Sequence, residues 1–485
     1  MSEKDAVDQI ETSMDQPAPL VETADRELEK KLLRKLDVKL IPPLFVLLMA
    51  SFIDRVNIGN ARLLGLEADL KLEGNQYNIA LFVFFIPYVL LEVPANLILK
   101  KMRPSYWLPS LILGFGTITM CQGFTQSYAG LVICRFLIGV FEAGYFPGAI
   151  YLISMYYKRH ELQVRVNFFF SAAILAGAFS GLLAYAIGHM GGIRGYNPWS
   201  WVFILEGVAT VMLAIVSHFL IPDWPETSTF LEPSEKKLLL SRLAEDSGDA
   251  QMSTVNRKAA KRVFSDLKIY LGFLIYFACT TTAYAMALFI PTILHDFGWS
   301  PLRTQVMTIP VYIVAAVMCV VTAFVSDRVR HRCAFIAGWL SMGLVAWIIL
   351  INAFSVSVGV RYMAIFFAAT ATNTAMSLSI VWLNNNMGGH FKRAVAAGMQ
   401  IGLGNTGGIV ASNVFLRHES PFYHTGYSVG IGALCLGLSA TAGFLLLIHL
   451  ENKRRDRGER DYLLQLPDEE LRNLGDDHPS FRYTY

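Results

Sequence analysis

Long apolar runs alternate with short polar turns along most of this 485-residue chain. A helix needs about 20 mostly apolar residues to cross a bilayer. Twelve stretches reach that length: 40–60, 78–99, 107–124, 129–151, 164–187, 201–221, 269–294, 305–326, 333–354, 362–384, 393–414 and 428–449. The pattern predicts an all-α membrane protein with twelve transmembrane helices. The spans divide six and six, giving a tail (1–37), a six-helix bundle (38–221), a linker (222–267), a second six-helix bundle (268–450) and a closing tail (451–485).

Charge orients the spans. With the amino terminus placed inside, 33 of the 41 Lys and Arg residues fall in inner segments and six in outer loops, leaving Arg55 and Arg135 within spans. Positive residues collect on the cytoplasmic side, so both termini are expected there. A weak repeat supports the doubled unit. Arg165 opens the fifth span and Arg393 the eleventh, and Gly177-Ala-Phe-Ser-Gly181 echoes Gly404-Asn-Thr-Gly-Gly408. Two such units can tilt about a central site, although small residues at helical spacing also simply allow close packing. In the linker, Ser234 to Glu245 reads as a short amphipathic helix bracing the two halves. The first tail, acidic to Glu29 and basic from Lys30 to Lys39, reads as disordered chain followed by a surface helix.

Composition narrows the function. The chain is 54% hydrophobic and only 16% charged, against about 25% charged in soluble proteins. A net charge of +3 gives no reason to expect nucleic acid. The six cysteines are scattered without a CxxC or His/Cys cluster, so no metal site or disulfide framework is indicated. No cleavable signal peptide is read at the start. Four histidines near span ends lack an evident nucleophile or metal partner, so no catalytic residues, no enzyme activity and no cofactor are expected.

Ionisable side chains inside a bilayer cost roughly 2.5–3.5 kcal/mol each by insertion scales and need a reason. Here they are Asp54 and Arg55 in the first span, Glu92 in the second, Arg135 and Glu142 in the fourth and Glu206 in the sixth. All lie in the first half. The second half offers Tyr284, Asn373, Gln400 and Asn405. At about 1.5 Å per residue, Asp54 lies roughly 21 Å in from one surface and Arg135 roughly 9 Å in from the other. That is a shared depth, and one cavity can hold all these groups. Two guanidinium groups suit a carboxylate ligand, and carboxylates whose burial and partners change can carry protons. The alternative is that Asp54/Arg55 and Arg135/Glu142 are neutralising pairs that only hold helices together. Glu206 reads equally as a counter-charge, and Glu92 as structural.

At this point the chain resembles the fungal anion:cation symporters of the major facilitator superfamily. The first-span run Asp54-Arg55-Val-Asn-Ile-Gly-Asn-Ala-Arg62 carries the likeness, with Glu92-Val-Pro-Ala-Asn96, Arg135-Phe-Leu-Ile-Gly-Val-Phe-Glu142 and Trp199-Ser-Trp-Val-Phe-Ile-Leu-Glu206-Gly207. Members include allantoate, nicotinate, pantothenate and biotin permeases. Asn75-Gln-Tyr-Asn-Ile-Ala-Leu81 looks most like the nicotinate branch. The resemblance implies the major facilitator fold, proton coupling at Asp54 and Glu142, and anion contact at Arg55 and Arg135. Tyr284, Asn373 and Asn405 are expected to contribute from the second half. Gating or structural roles go to Glu92, Asn96, Arg165, Glu206, Asp327, Arg328 and Arg393. Asn96 stands near where the superfamily's inner-loop motif carries Asp, so that gate is expected to be rewired. The second copy, Ser326-Asp327-Arg328…Arg332, is better kept, and Asp327 is expected to reach Arg165 when the cytoplasmic side shuts.

The expectation is a monomeric, proton-coupled symporter of a small organic carboxylate in the plasma membrane, with protons, the small anion and the lipid bilayer as its partners. The competing readings are an exporter or vacuolar carrier of an acidic metabolite and a non-transporting nutrient sensor.

Overall fold

The computed structural model describes residues 19–99, 101–247, 262–388, 390–467 and 474–485. The first tail as far as residue 18, and residues 248–261 of the linker, lie outside the described residues. The chain is built of helices. In order they are α1 (Pro19–Leu63), α2 (Gln76–Val83), α3 (Phe85–Leu99), α4 (Pro104–Gln122), α5 (Tyr128–Glu142), α6 (Tyr145–Ser154), α7 (Arg159–Ile187), α8 (Pro198–Leu220), α9 (Pro233–Ser247), α10 (Leu267–His295), α11 (Pro301–Val329), α12 (Arg332–Ile351), α13 (Val358–Asn385), α14 (His390–Gly404), α15 (Gly407–Val414) and α16 (His424–Asp456). Nine helical stretches among the described residues, one of them Tyr128–Ser154 spanning α5 and α6, are long and apolar enough to cross a membrane. The remaining predicted spans are the second (α2 and α3), the third (α4) and the eleventh (α14 and α15).

Packing partners repeat with an offset of six spans. The first packs on the fifth and the seventh on the eleventh; the second on the fourth and the eighth on the tenth; the third on the sixth and the ninth on the twelfth. Two bundles of like construction result. They meet along three seams, formed by α1 with α10, α7 with α11, and α2 and α3 with α15 and α14. Small residues let these seams close. A Cβ on Gly59 of α1 would lie 2.6 Å from the Leu288 carbonyl oxygen, and one on Gly181 of α7 would lie 2.8 Å from that of Gln305. On the side away from the chain ends, Asn78 donates to the Ser412 carbonyl at 2.6 Å. Toward the chain ends, Ser377 donates to the Asn167 side chain at 3.2 Å.

Three spans are broken. The second divides at Phe84, the fourth after Glu142 and the eleventh around Asn405. Backbone irregularity at membrane depth is tolerated where it is enclosed by protein or lines a cavity.

The two polar segments differ from expectation. Among the described residues no separate surface helix precedes the first span: from Pro19 to Leu63 the chain is one helix. Leu32, Leu36 and Leu40, spaced by four, bury one face of it. Its polar face is pinned by Lys35 to Glu235 at 2.6 Å and by Glu29 to Arg242 at 2.6 Å. Arg242 also reaches Glu161. The linker helix α9 therefore braces α1 and the start of α7, all within the first half, rather than one half against the other.

The closing tail docks on the second half. Asp476 is fully enclosed and accepts from Lys268 at 2.6 Å and Lys392 at 2.9 Å. Arg455 of α16 donates to the carbonyls of Asp476 and Phe481, and Thr484 bonds Trp382 of α13 and Asn386 just past its end. Burial pushes the Asp476 carboxyl up, but the charges of Lys268 and Lys392 outweigh it and hold it down at about 2. A carboxylate held below its ordinary value stabilises the docked form at neutral pH, and that stabilisation fades as pH falls through about 4 toward about 2. Asp476→Asn should weaken docking at neutral pH by up to roughly 3 kcal/mol, because two buried lysines are left to share the single counter-charge of Asp266. Limited proteolysis of the tail, or hydrogen exchange over 475–485, reads this directly.

Candidate functional site

A cavity of about 80 Å³ lies between the two bundles, with walls from α1, α3, α5, α7, α10 and α13. Arg55 and Arg135 reach it from the first half, and Tyr284, Asn373 and Asn405 from the second. Asp54 and Glu142 do not reach its wall. They stand behind the arginines, 0% and 1% exposed.

The ion pairs cross between helices. Arg55 Nε donates to Glu142 Oε1 at 2.7 Å, and Arg135 Nη1 lies 3.5 Å from Asp54 Oδ2. The expected neighbours, Asp54 with Arg55 and Arg135 with Glu142, are not partners. Adjacent residues on a helix point about 100° apart, so Arg55 and Asp54 each find a partner on α5 instead. The pairs also lie at different levels along α5, because Glu142 is two turns beyond Arg135.

Glu142 also accepts from the Ser51 hydroxyl. Around Arg55 the rings of Tyr88, Phe52 and Phe84 lie 4.5, 4.6 and 5.1 Å from the guanidinium carbon. A desolvated cation over aromatic faces gains about 2 kcal/mol. Arg55 then crosses to the other half. Its Nη1 donates to the Tyr284 hydroxyl at 2.7 Å, which in turn donates to Asn405 Oδ1 at 3.3 Å. One chain of polar contacts thus runs from Glu142 through Arg55 and Tyr284 to the break in the eleventh span.

Arg135 is less committed. Its Nε and Nη2 are buried and have no partner among the described residues. Those two nitrogens form one edge of the guanidinium, the edge that grips a carboxylate with two parallel hydrogen bonds.

The other expected residues are placed as follows. Glu206 accepts from Asn57 at 2.6 Å, and Asn57 accepts from Ser180 and Asn60. That network joins the first, fifth and sixth spans and lies outside the cavity wall. Asn373 bonds back to the Ala369 carbonyl. Glu92 is buried in α3 and faces Gly402 of α14. Asn96 lies one turn further on, its Oδ1 enclosed near Gly148. Arg165 is held by both carboxylate oxygens of Asp37 at 2.7 and 3.0 Å, and Asp327 pairs with Arg332 of its own half. The expected Asp327–Arg165 contact is therefore replaced by pairs within each bundle. Arg328 is exposed at the end of α11, and Arg393 donates to the Met387 carbonyl at 2.6 Å.

Sequence reasoning missed Ser51, Asn57, Tyr88 and the aromatic enclosure of Arg55. Helical spacing offered a signal for the last: Phe84 and Tyr88 are four apart and share a face.

Comparison with known proteins agrees with this architecture. The profile of the Major Facilitator Superfamily matches residues 44–443. The chain is 34% identical over 473 residues to the MFS-type transporter cnsO of Penicillium expansum, covering 94% of this chain and 90% of that protein. It is 31% identical over 469 residues to the major facilitator-type transporter hxnP of Emericella nidulans, covering 95% and 94%. An uncharacterized transporter of Schizosaccharomyces pombe is 33% identical over 426 residues, covering 88% and 85%. Among solved structures, a bacterial homolog of the human lysosomal transporter Spinster, inward-facing and occupied, superposes with a TM-score of 0.65 at 13% identity. That match covers 84% of this chain and 95% of that one, and it shows the fold.

Gly139 allows the site to assemble. A Cβ there would lie 2.2 Å from the Phe84 carbonyl oxygen, so only glycine lets α5 press against the break between α2 and α3. Gly139→Ala should push these helices apart and displace both Arg135 and Glu142. The expected loss is about 1–3 kcal/mol of stability, visible as a lowered melting temperature in detergent.

Proposed function

The chain belongs to the Major Facilitator Superfamily, and from that premise we propose that this multi-pass transporter is a proton-coupled symporter of a small organic carboxylate such as nicotinate. It works by alternating access, as a monomer in the plasma membrane with both termini cytoplasmic. The observation that carries this reading is the free Nε/Nη2 edge of Arg135, buried and unpartnered beside a cavity.

A solute carboxylate binds that edge through two hydrogen bonds. The rings of Phe52, Phe84, Phe85 and Tyr88 on the same cavity wall suit a flat aromatic acid. The free volume, about 80 Å³, lies well below the roughly 300 Å³ or more of drug-sized pockets, so the solute is small. Arg55 is drawn in next. Its present partner is Glu142, and an arriving anion competes for the same guanidinium. If Arg55 turns to the solute, Glu142 is left as an uncompensated buried charge, which is strongly unfavourable. A proton on Glu142 removes that charge. Anion and proton therefore favour one another, and that is symport. Asp54 behind Arg135 offers the same exchange. The Arg55–Tyr284–Asn405 contacts carry the change to the second half. The excess of 33 basic residues on one face over six on the other supports the orientation.

Labelled nicotinate uptake, with a panel of small acids as competitors, tests the substrate class, and uptake should rise as the external medium is acidified. Arg135→Lys keeps the charge but loses the two-pronged grip. The apparent affinity should fall by roughly tenfold to a hundredfold, the size of one charged hydrogen bond; an unchanged value would remove Arg135 from the binding site. Glu142→Gln should abolish proton-driven accumulation while retaining solute exchange across the membrane. Full accumulation by that variant would reassign the coupling role.

A further inference from the structure

Of the buried carboxylates that take no part in the mechanism above, Glu92 is the one that meets the other bundle across a seam. Glu92 lies in α3, 4% exposed. It is one turn beyond the cavity-lining Tyr88, on the way to the face that carries the chain ends. Its Oε2 is enclosed and has no hydrogen-bond partner among the described residues. It points across the seam between the bundles: a Cβ on Gly402 of α14 would lie 3.6 Å from Oε2 and 3.8 Å from Oε1.

Among the described residues, its charged and titratable surroundings are few. Arg55 faces it from α1, Tyr88 from α3 itself, and Tyr276 and Tyr284 from α10. Arg55 is already committed to Glu142 of α5 and to the Tyr284 hydroxyl. The segment of α14 that meets the carboxylate presents a glycine. The contact of α6 with α3 is made further along, where Gly148 faces Leu99 and Asn96. Among the described residues, the seam thus closes over a carboxylate with no cation of its own. An ionised carboxylate cannot be enclosed that way cheaply, and such a group gives up its charge instead. When the seam opens toward the terminal face, water reaches Glu92 and the ionised form becomes tolerable.

We propose that Glu92 is a proton-carrying latch: α3 and α14 close against each other only while it is neutral, and its ionisation parts them. This deepens the reading of the chain as a proton-coupled carrier, on which it rests, by supplying the place where a proton leaves on the terminal side. A Cβ at position 402 would stand in ordinary van der Waals contact with the carboxyl, so the closed seam is packed against Glu92 and admits water only once the helices separate.

The test needs no solute. The full-length chain is placed in lipid nanodiscs with nitroxide labels at Lys101 and Lys453, exposed on the terminal face of the first and second halves. The exposed Cys121 and Cys435 are replaced by serine. Distances between the labels are measured by double electron–electron resonance from about pH 5 to about pH 8. The long-distance population should grow with pH, at most about tenfold per unit for a single proton. Glu92→Gln should remain in the short-distance population throughout, and Glu92→Asp should keep a pH response. Glu92→Met, neutral and of similar length, serves if the glutamine variant is poorly folded. A wild-type distance that ignores pH, or neutral variants that follow the wild-type response, would overturn the proposal. Because no solute enters the measurement, its outcome is separate from that of the Arg135 uptake assay.

Discussion

A guanidinium group buried among apolar helices must be answered by something. That requirement organises the first half of this protein. Arg55 and Arg135 are 6% and 3% exposed, and each has a carboxylate behind it on the side away from the cavity. Buried ion pairs of this kind contribute little net stability, because desolvation offsets their attraction. Two apolar pairs would hold α1 against α5 equally well. What the charges add is a cavity wall with positive groups in front and negative groups behind, so that a third charge entering the cavity disturbs both pairs.

Local backbone features bring these groups within reach. Gly139 lets α5 touch the carbonyl of Phe84, where the second span breaks. The fourth span breaks directly after Glu142, and the eleventh around Asn405. Polar side chains thus sit at or beside helix interruptions, where the regular hydrogen-bond ladder leaves room. Away from the cavity each half is fastened to itself. The helix α9 clips α1 to the start of α7 in the first, and the closing tail ties α10, α13, α14 and α16 together in the second. Two separately braced bodies that meet at seams closed by small residues are suited to moving as units.

Much of this was legible in the sequence. Hydropathy alone marks the spans, since the bilayer imposes a length that few other constraints imitate. Depth along each helix brings Asp54 and Arg135 to one level, and the structure pairs them; Glu142, two turns further along α5, pairs with Arg55 instead. The pairing was harder. Counting along the chain suggested neighbours, whereas the turn angle between residues 54 and 55 sends them to different partners. Long-range polar contacts were beyond reach. Nothing near Asp476 announces Lys268 and Lys392, more than eighty residues away, and Arg165 finds Asp37 rather than Asp327. The continuous α1 was misread because its charges suggested a break, while the leucines at four-residue spacing, which set the buried face, were the stronger signal.

The division of chemistry between the halves has a mechanical consequence. The first half supplies two arginines to the cavity wall with carboxylates behind them, and among the described residues the second supplies only hydroxyls and two amides as polar groups. The ion pairs at the cavity therefore lie inside one body. When the bundles tilt, none of those pairs must be pulled apart; the contacts that change are neutral-to-charged hydrogen bonds such as Arg55 with Tyr284, worth about 1.5–3 kcal/mol each. Separating a desolvated ion pair would cost roughly 3–5 kcal/mol by comparison. An interface joined by hydroxyls, amides and glycines can open and close on a shallow energy surface, while the charged site travels intact within its own bundle. The arrangement keeps the charged centre together and the hinge weak, which is the combination that rocking about a central site requires.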